Sequence, residues 1–260
     1  MTQHKLRVRR RGMMKDGRPS LINDIRHFQG ASLRESRYLK GLEEAVAFGR
    51  RMAWFLNGEM FSLGAYPALY LLFTPSLEPG AITVTDEGGD WWQRYTYVGV
   101  PSQFPDIPNA SELVVRGTID ALKAIRSDLS ATIDTAERIV ASERQNLRFL
   151  LKERQTKRFI VEISSTISDW PQPSHLVVAL TDRSSGEYFE AEPVRMRFYL
   201  DALDLAGTIR VSDASILLVP NQSIGARLTA SSHGGEVDKP ISEFFPRQRP
   251  VMSKRLKPRG

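Results

Sequence analysis

The stretch ITVTDEGGDWWQRYTYVGV, residues 82–100, decides the fold expected for the first half of the chain. Residues that favour β-strands alternate on both sides of the Gly-Gly pair, and this pattern predicts a hairpin with a two-residue turn. In that hairpin Ile82 faces Tyr95, and Trp91 lies on the same core-facing side. Trp92 falls instead on a threonine-rich side, where it needs cover from a helix of the same chain or from a partner.

The turn of this predicted hairpin is acidic. Glu87 faces Asp90 across the turn, and like charges in that position disfavour the pairing. Tryptophan is prominent among the residues that dominate protein interfaces, and an acidic tip suits a cationic partner. We therefore predict a partner-binding surface at the tip, formed by Asp86, Glu87, Asp90, Trp92 and Arg94.

Helical and strand patterns extend this picture along the first half. Apolar periodicity over residues 33–57 predicts the first helix, and the apolar run 68–73 predicts a buried strand ended by a proline. Two Asx-to-Glu capping pairs predict helices over residues 109–126 and 134–143.

The second half is richer in β-like patterns. Residues 146–162 fit either a continued helix or a hairpin, and their alternation favours the hairpin. The loop RSSGE, residues 183–187, favours a second hairpin. Further elements are predicted as strands at 176–181, 188–190, 195–199, 208–211 and 216–219, and as a helical turn at 201–206.

Together these patterns predict the α+β class, with two mixed helix-plus-antiparallel-sheet halves and basic flexible N- and C-terminal segments. The predicted organisation is a basic arm over 1–20, an N-terminal half over 21–130, a β-rich C-terminal half over 131–245 and a basic tail over 246–260. Residues 231–260 are polar, proline-bearing and basic, so a loosely held tail is expected there.

Composition restricts the classes of function. The chain has 260 residues, 41% of them hydrophobic, and no cysteine, which excludes disulfides, thiolate metal sites and cysteine nucleophiles. The longest apolar run is about half of what a membrane crossing needs, and the basic N-terminus does not resemble a signal peptide. We expect a cytoplasmic protein without membrane contact or cofactor.

The net charge of +6 is unevenly distributed along the chain. Residues 1–20 and residues 246–260 each carry +6, so the rest of the chain carries −6. Basic ends can bind nucleic acid through phosphate contacts. An alternative function is therefore a nucleic-acid-associated protein or complex subunit whose candidate contacts are Arg7, Arg9, Arg10, Arg11, Arg255 and Lys257.

Catalytic and metal-binding motifs give no assignment, and we predict neither catalytic nor metal-ligating residues. Phosphate-binding glycine loops are absent from the sequence. The segment 233–238 groups a histidine with two carboxylates and is interpreted as a polar loop. The segment 221–225 lacks the first glycine of a nucleophile elbow and is interpreted as a turn or a helix cap. Asp201 and Asp204 share a helix face, interpreted as solvated.

Three function classes follow from these observations. The first is a non-catalytic protein that binds another protein, expected to be basic, and its sharpest form is an inhibitor or immunity-type protein that neutralises a basic toxin or enzyme. The second is the nucleic-acid-associated protein. The third is a hydrolase whose site assembles only in three dimensions.

Overall fold

The computed structural model describes residues 19–64, 66–85 and 93–257. The chain divides into two compact units, Met1–Ile139 with Lys257–Gly260 (unit 1) and Val140–Leu256 (unit 2). In the described part, both units contain helices and sheets, and most of the strand pairs in the three sheets are antiparallel, so the predicted α+β class is confirmed. No helix among the described residues is long and apolar enough to cross a membrane.

The sheet of unit 1 is mixed. β1 and β3 pair in parallel, and so do β3 and β5, whereas β2 and β4 form antiparallel edges. The sequence predicts only antiparallel pairing, but a helix between β1 and β3 returns the chain to the same end of the sheet. The strands are β1 (Asp24–Gln29), β2 (Arg37–Tyr38), β3 (Ala68–Thr74), β4 (Ile82–Thr85) and β5 (Gln93–Gly99). All seven residues of β3 are buried, as its apolar run predicts.

Two helices cover one face of this sheet, and both contact the side chain of His27. Gly49 lies so close that a Cβ atom added there would be 2.3 Å from the His27 ring. Thr118 Oγ1 lies 3.0 Å from His27 Nε2, within hydrogen-bonding distance. The three longer helices are α1 (Glu43–Gly58), α2 (Ala110–Ile125) and α3 (Ser130–Glu143).

The helix starts differ from those predicted. α1 begins ten residues later than expected, because the chain before it forms β2 and then passes through Gly41 in a left-handed conformation, φ 80°. Asn109 precedes α2, but its side chain makes no capping hydrogen bond. Asp134 is not a cap either, because it lies inside α3 and pairs with Lys123 Nζ at 2.6 Å.

The predicted register of the hairpin is wrong. Ile82 pairs with Val98 rather than with Tyr95, a shift of three positions that exchanges the faces of β5. Val98 is thereby buried, and Tyr95 instead contacts the ring of Tyr70, with centroids 5.3 Å apart. The shift follows from packing, because the helix-covered face takes the smaller Thr96 and Val98 side chains. The turn itself, residues 86–92, lies outside the described residues.

The larger sheet of unit 2 is antiparallel. The predicted hairpin over residues 146–162 is confirmed as β6 and β7, and RSSGE connects β8 to β9 as predicted. β8 pairs with β7 along one side and with both β9 and β10 along the other. The strands are β6 (Phe149–Gln155), β7 (Phe159–Ser165), β8 (Ser174–Asp182), β9 (Tyr188–Glu190), β10 (Val194–Met196) and β14 (Phe245–Pro246).

A smaller sheet and two short helices complete unit 2. Its described elements are α4 (Asp201–Leu205), β11 (Thr208–Val211), β12 (Ser215–Val219), α5 (Ile224–Ser232) and β13 (Val237–Pro240). Ser223 caps α5, because its hydroxyl accepts a hydrogen bond from the Ala226 amide at 3.1 Å. The interpretation of residues 221–225 as a turn or cap is therefore confirmed.

The C-terminal segment is bound to unit 2 more extensively than its composition predicts. Backbone amides of Arg148 and Leu256 donate to carbonyl oxygens across the β6 edge, to Val251 and Leu150. Arg249 donates to the buried Glu162 carboxylate at 2.6 Å. Burial raises the pKa of Glu162, and the Arg249 charge opposes that rise. At least one arginine of the basic tail therefore forms an ion pair within unit 2.

The buried imidazole of His27 predicts a pH dependence of stability. Burial, with a smaller contribution from the Arg50 charge, lowers the pKa of His27 from 6.5 to about 3. Between these values the unfolded chain binds a proton at this position and the folded chain does not, so the free energy of unfolding decreases as pH falls. We expect His27 to contribute a slope of about 1.4 kcal/mol per pH unit below its unfolded pKa and none above it.

Urea unfolding of the wild type and of His27→Gln, followed from about pH 7.5 to about pH 5, measures this slope. The difference between the two curves isolates His27 from other titrating groups. Two parallel curves over this range would contradict the assignment.

An aromatic cleft in unit 2 as candidate functional site

The register of β10 on β8 brings two loop segments of unit 2 together. Met196, the last residue of β10, pairs with Ser174, the first residue of β8. Because the strands are antiparallel, the chain after Met196 runs alongside the chain before Ser174. Arg197 and Phe198 therefore lie beside the loop at residues 170–173, and the space between the two chain segments is a cleft.

The cleft has a volume of about 450 Å³ and two large aromatic side chains at its rim. Trp170 is 68% exposed and Phe198 is 61% exposed. Large apolar groups that remain in water are unusual when they occur together, and such patches commonly mark binding sites. We call this site the aromatic cleft; its lining residues are Trp170, Pro171, Gln172, Pro173, Arg195, Met196, Arg197, Phe198, Ser232 and His233.

Asp201 holds one wall of the aromatic cleft in place. Its Oδ2 atom accepts a hydrogen bond from the Phe198 backbone amide at 3.1 Å. The same oxygen lies 3.0 Å from His233 Nε2, and both side chains of the pair are largely buried, 7% exposed for His233 and 14% for Asp201. One carboxylate thus connects the Phe198 segment to the C-terminal end of α5.

An exposed apolar row on α5 continues from the cleft. Ile224 is 71% exposed and Leu228 is 68% exposed. These residues are four apart, and Ser232, which lines the cleft, is the next position of the same row. Thr229 donates to Asp204 at 3.0 Å, so the opposite side of α5 is held by α4. The sequence predicted a solvated face for Asp201 and Asp204. Both carboxylates instead accept hydrogen bonds within unit 2.

A polar cleft adjoins the aromatic cleft and shares Gln172 and Pro173 with it. Its volume is about 530 Å³, and its lining includes Arg148 and His175. Burial lowers the pKa of His175, and the nearby charges of Arg148 and Arg195 lower it further. Cations from both clefts therefore act on the same imidazole.

The aromatic cleft has unpaired positive charge. Among the described residues, neither Arg195 nor Arg197 has an ion-pair partner or a side-chain hydrogen bond. Both are exposed, and they flank the buried Met196. An apolar surface with unpaired guanidinium groups can bind a group that combines apolar area with negative charge.

The histidine in the cleft is not arranged as a general base for a neighbouring serine. The Ser232 hydroxyl donates to the Thr229 carbonyl oxygen at 2.8 Å. His233 is paired with Asp201 rather than with the acids that follow it in the sequence, Glu236 and Asp238. No group of three or more His, Asp or Glu side chains in the described part of the chain could hold a metal ion.

The predicted partner-binding residues belong to the segment 86–92 and to the start of β5. Asp86, Glu87, Asp90 and Trp92 lie outside the described residues. Arg94 lies on β5 and donates to the Leu63 carbonyl oxygen at 2.8 Å, with its guanidinium 5.7 Å from the centre of the Tyr66 ring. Arg94 therefore makes contacts within unit 1 near the start of β5.

The predicted nucleic-acid contacts are only partly described. Arg7, Arg9, Arg10 and Arg11 lie outside the described residues. Arg255 and Lys257 are exposed, and the Lys257 backbone amide donates to Asn57 Oδ1 at 2.8 Å.

Sequence patterns alone did not identify the aromatic cleft. Trp170 lies in a loop between predicted strands, followed by two prolines, and Phe198 ends a short alternating segment. The segment RMRF, residues 195–198, carries the one available signal, because an alternation of Arg with Met predicts an amphipathic edge strand. Whether an aromatic residue is exposed depends on the tertiary structure.

Comparison with protein-family models, with curated proteins and with solved structures finds no match to this chain.

The double hydrogen bond to Asp201 predicts a stability effect. Asp201→Ala removes the acceptor for Phe198 and leaves the His233 imidazole buried without its partner, so we expect the free energy of unfolding to fall by about 1–3 kcal/mol. Asp201→Asn retains an oxygen for the Phe198 amide and should have a smaller effect. Urea unfolding measures both variants, and an Asp201→Ala midpoint equal to that of the wild type would refute the role of this carboxylate.

Proposed function

We propose that this chain is a non-catalytic protein that binds another protein through the aromatic cleft. The observation that carries the proposal is the exposure of Trp170 and Phe198 at the rim of one cleft, whose Phe198 side is held by Asp201 and His233. Such an arrangement presents apolar area without the cost of ordering a loop at binding.

The composition of the surface supports a protein partner. Tryptophan and arginine are enriched among the residues that dominate binding energy at protein interfaces. Both occur in this cleft, together with the exposed apolar row of Ile224 and Leu228 on α5. Pockets for small molecules enclose most of their ligand, whereas these side chains extend outward over a broader surface.

A nucleic acid is the main competing ligand, because aromatic and arginine side chains can stack on bases. Three features favour protein over nucleic acid. The cleft is lined by Met196, Pro171 and Pro173, and the row on α5 adds the exposed apolar side chains of Ile224 and Leu228. Among the described residues of the basic tail, 246–257, none lines the aromatic cleft, so the two functions can be tested by separate substitutions.

The narrower proposal is an inhibitor or immunity-type protein that neutralises a basic toxin or enzyme. It depends on the acidic tip predicted from the sequence at residues 86–92, and not on the aromatic cleft. A basic partner would therefore contact the tip, and Trp92 is the residue that reports on this contact.

Matched tryptophan substitutions distinguish the two surfaces. We expect Trp170→Ala and Phe198→Ala to lower recovery of a bound protein at least about tenfold in affinity capture from the native host, because a loss of about 1.4 kcal/mol reduces affinity by that factor. Val251→Ala, an exposed apolar position of unit 2 that does not line either cleft, should leave recovery unchanged.

Trp92→Ala is measured in the same experiment. A loss confined to Trp92→Ala would transfer the binding function to the hairpin tip. Equal recovery by all four variants would remove the aromatic cleft as the binding surface, and capture of nucleic acid alone would favour the alternative function.

A further inference from the structure

We infer that the segment bound in the aromatic cleft is acidic and apolar, with an apolar side chain between Trp170 and Phe198 and a carboxylate facing Arg195 and Arg197. This inference rests on the proposed function, because it names the chemistry of the protein segment that the cleft would bind.

The charge of the lining residues carries the inference. The residues that line the two clefts include three arginines, Arg148, Arg195 and Arg197, and no carboxylate. Arg148 is 3.5 Å from Glu190, so this arginine already has an acidic neighbour. Arg195 and Arg197 have no ion-pair partner in the described part of the chain, so both guanidinium groups can pair with a carboxylate of a bound segment.

The two clefts together accommodate more than one side chain. They meet at Gln172 and Pro173, and Arg195 lies opposite His175 in the β10–β8 pairing. A bound segment can therefore place its apolar group between Trp170 and Phe198 while an adjacent acid faces Arg195, at the side where the two clefts meet. Glu192 is the acidic neighbour of His175, and it does not line either cleft.

Charge also argues against the basic N-terminal arm as the occupant. Residues 1–20 carry +6, and like charges would oppose their approach to Arg195 and Arg197. The occupant is therefore expected to be a segment of a different protein that carries Asp or Glu beside Trp, Phe, Leu or Met.

A display library of random twelve-residue peptides, selected on the full chain, tests this chemistry. We expect the enriched peptides to combine at least one acid with an aromatic or large aliphatic residue. One enriched peptide is then synthesised, together with a copy in which each acid is replaced by the matching amide. The amide copy should bind at least about tenfold more weakly, and added salt should weaken the acidic peptide more than the amide copy.

Charge-reversal variants locate the contact. Arg195→Glu and Arg197→Glu should each weaken the acidic peptide at least about tenfold, more than the corresponding changes to Gln. Arg210→Glu, an exposed position on β11 outside both clefts, is the matched control and should leave binding unchanged.

The outcomes distinguish a failure of the acidic chemistry from a failure of the protein-binding function. Peptides that need Trp170 and Phe198 but carry no acid, or that ignore both arginine reversals, would overturn the acidic chemistry and leave the protein-binding function standing. No enrichment above a Trp170→Ala/Phe198→Ala double variant would count against both. Displacement of the selected peptide by a twelve-nucleotide oligouridine at stoichiometric concentration would overturn the inference in favour of nucleic acid.

Discussion

The candidate site depends on one register, the antiparallel pairing of Met196 with Ser174 at the end of β10 and the start of β8. β8 is the central strand of the larger unit 2 sheet, and β9 and β10 share its second edge. A slip of one residue would turn Arg195 inward and Met196 outward, because side chains alternate between the faces of a strand. The buried Met196 therefore fixes the two exposed arginines that flank it.

Hydrogen bonds to Asp201 hold the side of the cleft that this register positions. Asp201 accepts hydrogen bonds from the Phe198 amide and pairs with His233, so a carboxylate at the start of α4 fixes both the aromatic rim and the end of α5. Side chains that are already ordered lose less conformational entropy on binding. The positive charge of this site comes from Arg195 and Arg197. Most of the excess positive charge in the sequence lies instead at the two ends of the chain.

The sequence predicts those parts of the fold that local patterns determine. The all-buried β3, the β6–β7 hairpin and the RSSGE hairpin follow from apolar runs, alternation and turn residues. The register of β4 on β5 does not, because pairing an alternating strand three positions further along satisfies the same local pattern. Only packing against the helices distinguishes the two registers. β1 was missed because its residues, DIRHFQ, are largely polar and its burial depends on His27 packing against Gly49.

The aromatic cleft was missed for the same physical reason. Its residues come from a proline-bearing loop, a three-residue strand and the end of α5, which are separated in sequence and meet through tertiary packing. The most direct test of the binding function is a photoreactive phenylalanine analogue placed at Phe198, or at Val251 as a control, in the full chain in its native host. Our account predicts a covalent adduct with one protein from position 198 and none from position 251. Adducts from position 251 alone, or from neither position while the wild-type chain still captures a partner, would contradict it.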